Sequence, residues 1–163
     1  MIASLQQREI AFSCVDIEGK DMLAEPDLQV SVYGELSKKN IPFSTGTAET
    51  EGGTKTFVRF SADLPDQQKM VVNTNEEGDI EGKGSAVMIV EVFGKKLRLI
   101  CDYKYFNQDA RLGALGLNSI VIERIECNDH SVVREEDTTS SAMMLEFVVD
   151  NNGEISLTDT SAE

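Results

Sequence analysis

His130 is the only histidine of the chain, so any Ser-His-Asp or Cys-His catalytic arrangement would have to use it. It stands in Asn128-Asp129-His130-Ser131, a turn sequence, and reads as a solvent-exposed turn histidine rather than a general base. A lone histidine also removes every zinc site with two or three histidine ligands. Cys14, Cys101 and Cys127 have the spacing of neither a metal ribbon nor a redox C-x-x-C pair. Each falls in an apolar alternating run, where a thiol behaves as a small hydrophobe, so buried thiols are expected. One disulfide with one thiol left over stays open as the alternative.

The run Gly78-Asp79-Ile80-Glu81-Gly82-Lys83-Gly84 superficially resembles a phosphate loop. Its first glycine lies one residue too close to Gly82-Lys83, Gly84 replaces the hydroxyl residue, and a strand follows instead of a helix. Nucleotide binding is therefore not expected. Residues 73–80 carry oxygen side chains at alternate positions ahead of a glycine, as part of an EF-hand loop does. Asn replaces the leading Asp, and the closing bidentate Glu would fall at Gly84. Asn75, Glu77 and Asp79 are the candidate ligands of a weak calcium site; apart from that calcium, no cofactor is expected. An acidic turn is the competing reading. Asp150-Asn151-Asn152-Gly153 is a turn first and a ligand set second. With 29 acidic residues some carboxylate pair will meet the 5–9 Å separation of a glycosidase by accident, so no enzyme is assigned. Aromatic side chains that escape a core often anchor partners. Among Tyr33, Phe57, Tyr103, Tyr105 and Phe106, the candidates for partner binding are Phe57, Tyr105 and Phe106; packing against the core or under loops is the alternative.

The elements that must hold these residues are strands. Forty per cent of the 163 residues are apolar, enough for the core of one domain. Val, Ile, Thr, Phe and Tyr recur in short alternating runs separated by Gly or Asn/Asp clusters, and no 3–4-residue periodicity persists for three helical turns. Residues 10–15, 28–33, 54–62, 69–74 and 119–127 read as strands, with Ile41-Pro42-Phe43 as an edge strand in an otherwise loop-like 35–53. Residues 87–93 and 96–103 form the best hairpin, joined at Phe93-Gly94-Lys95-Lys96. A second hairpin joins 142–149 to 154–157 through a type I turn with a following bulge. Residues 73–84 read as a long polar turn, and 106–118 as a loop or one-turn helix. Within 119–127 the apolar phase changes between Ile122 and Ile125, which predicts a one-residue bulge near Glu123-Arg124. The expectation is all-β: an antiparallel two-sheet β-sandwich of about nine or ten short strands with little helix. One domain would cover residues 1–158, followed by a frayed acidic tail over 159–163.

The formal net charge of −14 opposes nucleic acid and anionic membrane surfaces as partners. Much of that excess lies near the C-terminus: residues 135–163 hold eight acidic residues and no Lys or Arg. No apolar stretch reaches the roughly 18 residues of a transmembrane segment. Residues 1–9 lack the basic start and apolar region of a signal peptide, which places the chain in the cytoplasm if Met1 is the native start. A chain trimmed of its signal would look identical.

Four segments together resemble the small β-sandwich domains of Bacteroidales envelope lipoproteins: residues 10–23 (IAFSCVDIEGKDML), 32–43 (VYGELSKKNIPF), 52–64 (GGTKTFVRFSADL) and 119–129. The first matches the family's strand and D-x-x-G-x-D-L-L turn, with Met22-Leu23 for Leu-Leu. The resemblance implies a secreted, lipid-anchored precursor carrying a signal and lipobox cysteine; Cys14 is not that cysteine, because no apolar leader precedes it. It supplies no catalytic motif. The expected function is a non-catalytic envelope or cell-surface β-sandwich that binds a protein or surface glycan. The alternatives are a cytoplasmic acidic interaction protein of mobile-element or phage origin, and a calcium-dependent β-module.

Overall fold

The computed structural model describes residues 5–25, 28–50, 53–66, 70–74, 80–108, 117–134 and 142–158. The residues of the expected calcium loop, Asn75, Glu77 and Asp79, lie outside this set, as do 109–116 and the expected tail 159–163. In chain order the strands are β1 (Leu5–Gln7), β2 (Glu9–Asp16), β3 (Val30–Gly34), β4 (Lys39–Asn40), β5 (Phe43–Thr50), β6 (Gly53–Ser61) and β7 (Val71–Thr74). There follow β8 (Ile80–Val92), β9 (Lys95–Gln108), β10 (Leu117–Cys127), β11 (His130–Val133), β12 (Met143–Val149) and β13 (Ile155–Leu157). A single 3-10 turn, Met22–Ala24, is the helical element among the described residues. The strands stack as an eight-stranded and a five-stranded sheet, the sandwich that the alternation predicts.

The larger sheet runs β1-β10-β9-β8-β3-β4, with β11 also on β10 and β7 also on β8; the smaller runs β13-β12-β2-β6-β5. Pairing is antiparallel except at β1–β10 and β12–β2, which are parallel. The chain changes sheets at Arg8, between β1 and β2. That crossing is pinned to the end of β6: Ala62 N–H donates to the Arg8 carbonyl (2.9 Å), and Arg8 Nη1 donates to the Ala62 carbonyl (3.0 Å).

The inner faces supply the core. Ile10, Phe12 and Cys14 of β2 and Val58 and Phe60 of β6 meet Met88 and Val90 of β8, Leu97, Leu99, Cys101 and Tyr103 of β9, and Ile120, Ile122 and Ile125 of β10. Phe12 stands edge-on to Phe60 (6.4 Å between centroids) and to Phe147 (5.7 Å). Such aromatic pairs add about 0.5–1.5 kcal/mol each beyond their area. The bulge occurs where the phase change predicts it: the β9–β10 register shifts between Ile122 and Arg124, so Ile120, Ile122, Ile125 and Cys127 all face inward. Arg134 serves the carbonyls that the bulge displaces. Its Nε donates to Ile122 O (2.7 Å) and its backbone N–H to Glu123 O (2.8 Å).

Three expectations are corrected. Residues 80–84 are not turn but the start of β8; Gly84 is needed there because a Cβ would lie 2.7 Å from Met70 Cγ and 3.0 Å from Pro65 Cβ. The connection after β6 passes over those glycines, so they act as strand residues that admit a close neighbour. The stretch 43–50 is a full edge strand, β5, rather than a loop with a short strand at Ile41-Pro42-Phe43. Its Thr and Ser side chains suit a strand once β6 is there to pair with it over eight registered positions. Within 106–118, residues 106–108 extend β9 and 117–118 open β10.

A polar corner closes the interior where β6 leaves the smaller sheet. Asp63 is buried, and its Oδ2 accepts the Ser37 N–H at 3.0 Å. The Asp63 carbonyl accepts the buried Tyr103 hydroxyl at 2.6 Å, and its N–H points to Met88 Sδ at 3.3 Å. Gly34 makes room for the carboxylate: a Cβ there would lie 2.2 Å from Asp63 Oδ2.

Candidate functional site

The residues singled out from sequence do not converge. Phe57 points to the outer face of the smaller sheet, yet it is only 7% exposed and offers little surface to a partner. On the adjacent strand β2 the alternate residues Ala11, Ser13 and Val15 are buried as well. The ion pair Lys55–Glu146 (3.9 Å) joins β6 to β12 across that central strand. Tyr105 shares the inward parity of Tyr103 and packs half-buried against the core. Phe106 falls on the opposite parity of β9, and its side chain lies outside the described part of the structure. Tyr103 is core.

His130 is half-buried rather than fully exposed, because the turn is shorter than expected: Asn128 and Asp129 alone take positive φ (48° and 24°), and His130 already pairs with Cys127. Asn and Asp are the residue types that tolerate this two-residue turn. The three cysteines are free and buried, as expected. Burial, with Asp21 adding to it, pushes the Cys14 thiol up to about 12. Burial, then Asp102 and Asp63, pushes Cys101 up to about 12. Burial raises Cys127 too. All three are therefore protonated and poorly nucleophilic at neutral pH. Asp150 acts as a turn residue: its Oδ1 accepts the N–H groups of Asn152 (2.9 Å) and Glu154 (3.0 Å), and Gly153 takes φ 79°. Asp16 repeats this arrangement with Glu18, Lys20 and Gly19 at the end of the neighbouring parallel strand. Among the described residues no group of three His, Cys, Asp or Glu side chains is placed to hold a metal ion. None of the described helices is long and apolar enough to cross a membrane.

What the fold assembles instead is the outer face of the larger sheet. Its register aligns Tyr33, Ile89 and Arg98 in one cross-strand row and Val87, Ile100 and Glu126 in the next. Tyr33 (37% exposed) and Leu36 (45% exposed) continue the apolar stripe formed by the half-buried Val87, Ile89 and Ile100. Ion pairs rim it: Arg98–Glu35 (3.7 Å), Arg124–Asp102 (3.7 Å) and Arg124–Glu126 (3.4 Å). These exposed pairs add little stability, typically about 0–1 kcal/mol, but they space the charges around the stripe. A hollow of about 260 Å³ lies beside it, lined by Glu35, Leu36, Asp66, Ser85, Ala86 and Val87. An apolar centre with a charged margin, carried on strands, is suited to contact another macromolecule. Sequence reasoning names Tyr33 among the aromatics and misses the rest. The available signal is that Val87 and Ile89 are apolar on the parity opposite to Met88 and Val90, where a solvated face would be polar.

Comparison with known protein families, with characterised proteins and with solved structures finds no match to this chain.

Proposed function

We infer that the chain is a non-catalytic binding or accessory module of the cell envelope or cell surface, contacting a protein or surface glycan through the outer face of its larger sheet. The observation that carries this reading is the apolar stripe Tyr33, Val87, Ile89 and Ile100, held on paired strands, continued by Leu36 of the β3–β4 turn and bordered by ion pairs. A patch on a rigid scaffold loses little conformational entropy on binding. The resemblance of residues 10–23 to envelope lipoprotein sandwiches supports the cellular address.

The test has two parts. Cells producing the protein from its own gene are fractionated; recovery with the envelope is expected, and an entirely cytosolic protein would overturn the address. A photo-crosslinking residue at position 89 is then compared with one at Ser156, exposed on β13 at the far edge of the smaller sheet. A discrete adduct specific to position 89 is expected, and identical labelling from both positions would overturn the assignment of the face.

A further inference from the structure

We propose that the free edge of β5 is a strand-addition site for an extended, cationic segment of a partner protein. This rests on the binding-module reading and adds a second contact, at the edge of the smaller sheet. Thr50 and Gly53 close the β5–β6 hairpin across two residues, so they form a hydrogen-bonded pair. Alternation then turns the N–H and C=O groups of Phe43, Thr45, Thr47 and Glu49 away from β6. No described strand pairs with that side.

The other outer strands of the two sheets are short: β4 has two residues including Lys39, β1 and β13 three, and β7 and β11 four. β5 has eight, with no Lys, Arg or Pro and no register shift. Those are the usual devices that keep an edge from pairing, and β5 lacks them. Gly46 lies at its middle without positive φ, and a Cβ there would meet nothing within 4 Å. Neither a turn nor close packing within the chain requires this glycine, and a bare strand position suits the approach of another backbone.

The charge around the edge selects the occupant. Arg59 is paired with Glu9 (3.0 Å) and Lys55 with Glu146 (3.9 Å). Glu49 accepts from the Thr54 hydroxyl (2.6 Å) and meets no cation among the described residues. A second copy would bring −14 against −14, whereas a cationic strand is drawn in. At the start of β5 a hollow of about 330 Å³, lined in part by Pro42, Phe43, Ser44 and Arg59, is open to an apolar side chain of the incoming segment. Strand addition of this kind takes affinity from backbone bonds and specificity from alternate side chains.

The probe is a fluorescein-labelled eight-residue peptide of alternating Val and Lys, tested by anisotropy on the full chain. Two further peptides carry N-methyl groups on one or the other set of alternate residues, with the charge unchanged. Micromolar binding is expected, weakened at least tenfold by one methylated set and little by the other. Thr47→Pro removes an outward N–H without touching the β6 ladder; it is expected to weaken binding at least tenfold at an unchanged urea midpoint. Equal binding of all three peptides, unchanged binding to Thr47→Pro, or no binding below millimolar would overturn the proposal. If Thr47→Pro does not fold, amide exchange on the unaltered chain decides. Slowing at 43, 45, 47 and 49 with peptide is expected, and unchanged exchange refutes. Concentration-dependent dimerisation of the chain through β5 would also refute it, by making a second copy the occupant. Failure here leaves fractionation and crosslinking at position 89 untouched, so the two readings fail separately.

Discussion

Replacing Gly34 with Ala probes the polar corner directly. The added Cβ would lie 2.2 Å from Asp63 Oδ2, 2.7 Å from Asp63 Cγ and 2.6 Å from Ser37 Oγ. The Ser37 hydroxyl can rotate aside. The carboxylate is short and buried, and must retreat by most of an ångström, which breaks its 3.0 Å bond from Ser37 N–H. A hydrogen bond to a charged group contributes about 1.5–3 kcal/mol. Ala in place of Gly returns about 0.4–1 kcal/mol by narrowing the unfolded ensemble. Gly34→Ala should therefore destabilise by about 1–2 kcal/mol, read as a lower urea midpoint at constant slope. Asp63→Ala should cost a similar amount, because it strands the Ser37 N–H. The decisive measurement is the double variant. With the carboxylate gone there is nothing for the Cβ to strike, so Gly34→Ala should become neutral or slightly stabilising in that background. A coupling of about 1–2 kcal/mol is expected. Strictly additive costs would refute the account of why residue 34 is glycine.

Tyr103→Phe leaves the buried Asp63 carbonyl without its 2.6 Å donor and should cost about 1–2 kcal/mol by urea titration; an unchanged midpoint would contradict the role assigned to the hydroxyl. Phe93 holds φ 54° at the β8–β9 turn, beside Gly94 at 73°. Phe93→Asn should stabilise by about 0.5–1 kcal/mol, since Asn tolerates the left-handed region, and a lower midpoint would show that the Phe93 ring contributes more by packing than its backbone loses. The raised thiols carry a pH signature. The folded state keeps its protons on Cys14 and Cys101 up to about pH 12, while the unfolded chain releases them from about pH 9. The folded state thus binds more protons between those limits; the stabilising contribution is complete below pH 9 and lost as pH rises towards 12. Melting midpoints should fall across that window, and thiol reagents at pH 8 should modify the three cysteines only after denaturant is added. Rapid labelling of the native protein would refute their burial.

Residue order alone determines much of this architecture. Alternation in residues 10–15, 54–62 and 96–103 sets which side chains face inward, because a strand turns successive residues to opposite faces. The shift between Ile122 and Ile125 dictates a bulge, and Asp150 with Gly153 dictates a turn, because those are local rules of backbone and side chain. Tertiary structure decides what depends on a distant partner. Gly82 and Gly84 look like turn residues until Met70 and Pro65 are laid over them, and residues 43–50 look like loop until β6 pairs with them. Phe57 could face solvent or be covered, and only the assembled structure settles that it is buried. The stripe from Tyr33 to Ile100 joins residues far apart in the chain. No local pattern records such a surface, because cross-strand register is a property of the assembled sheet.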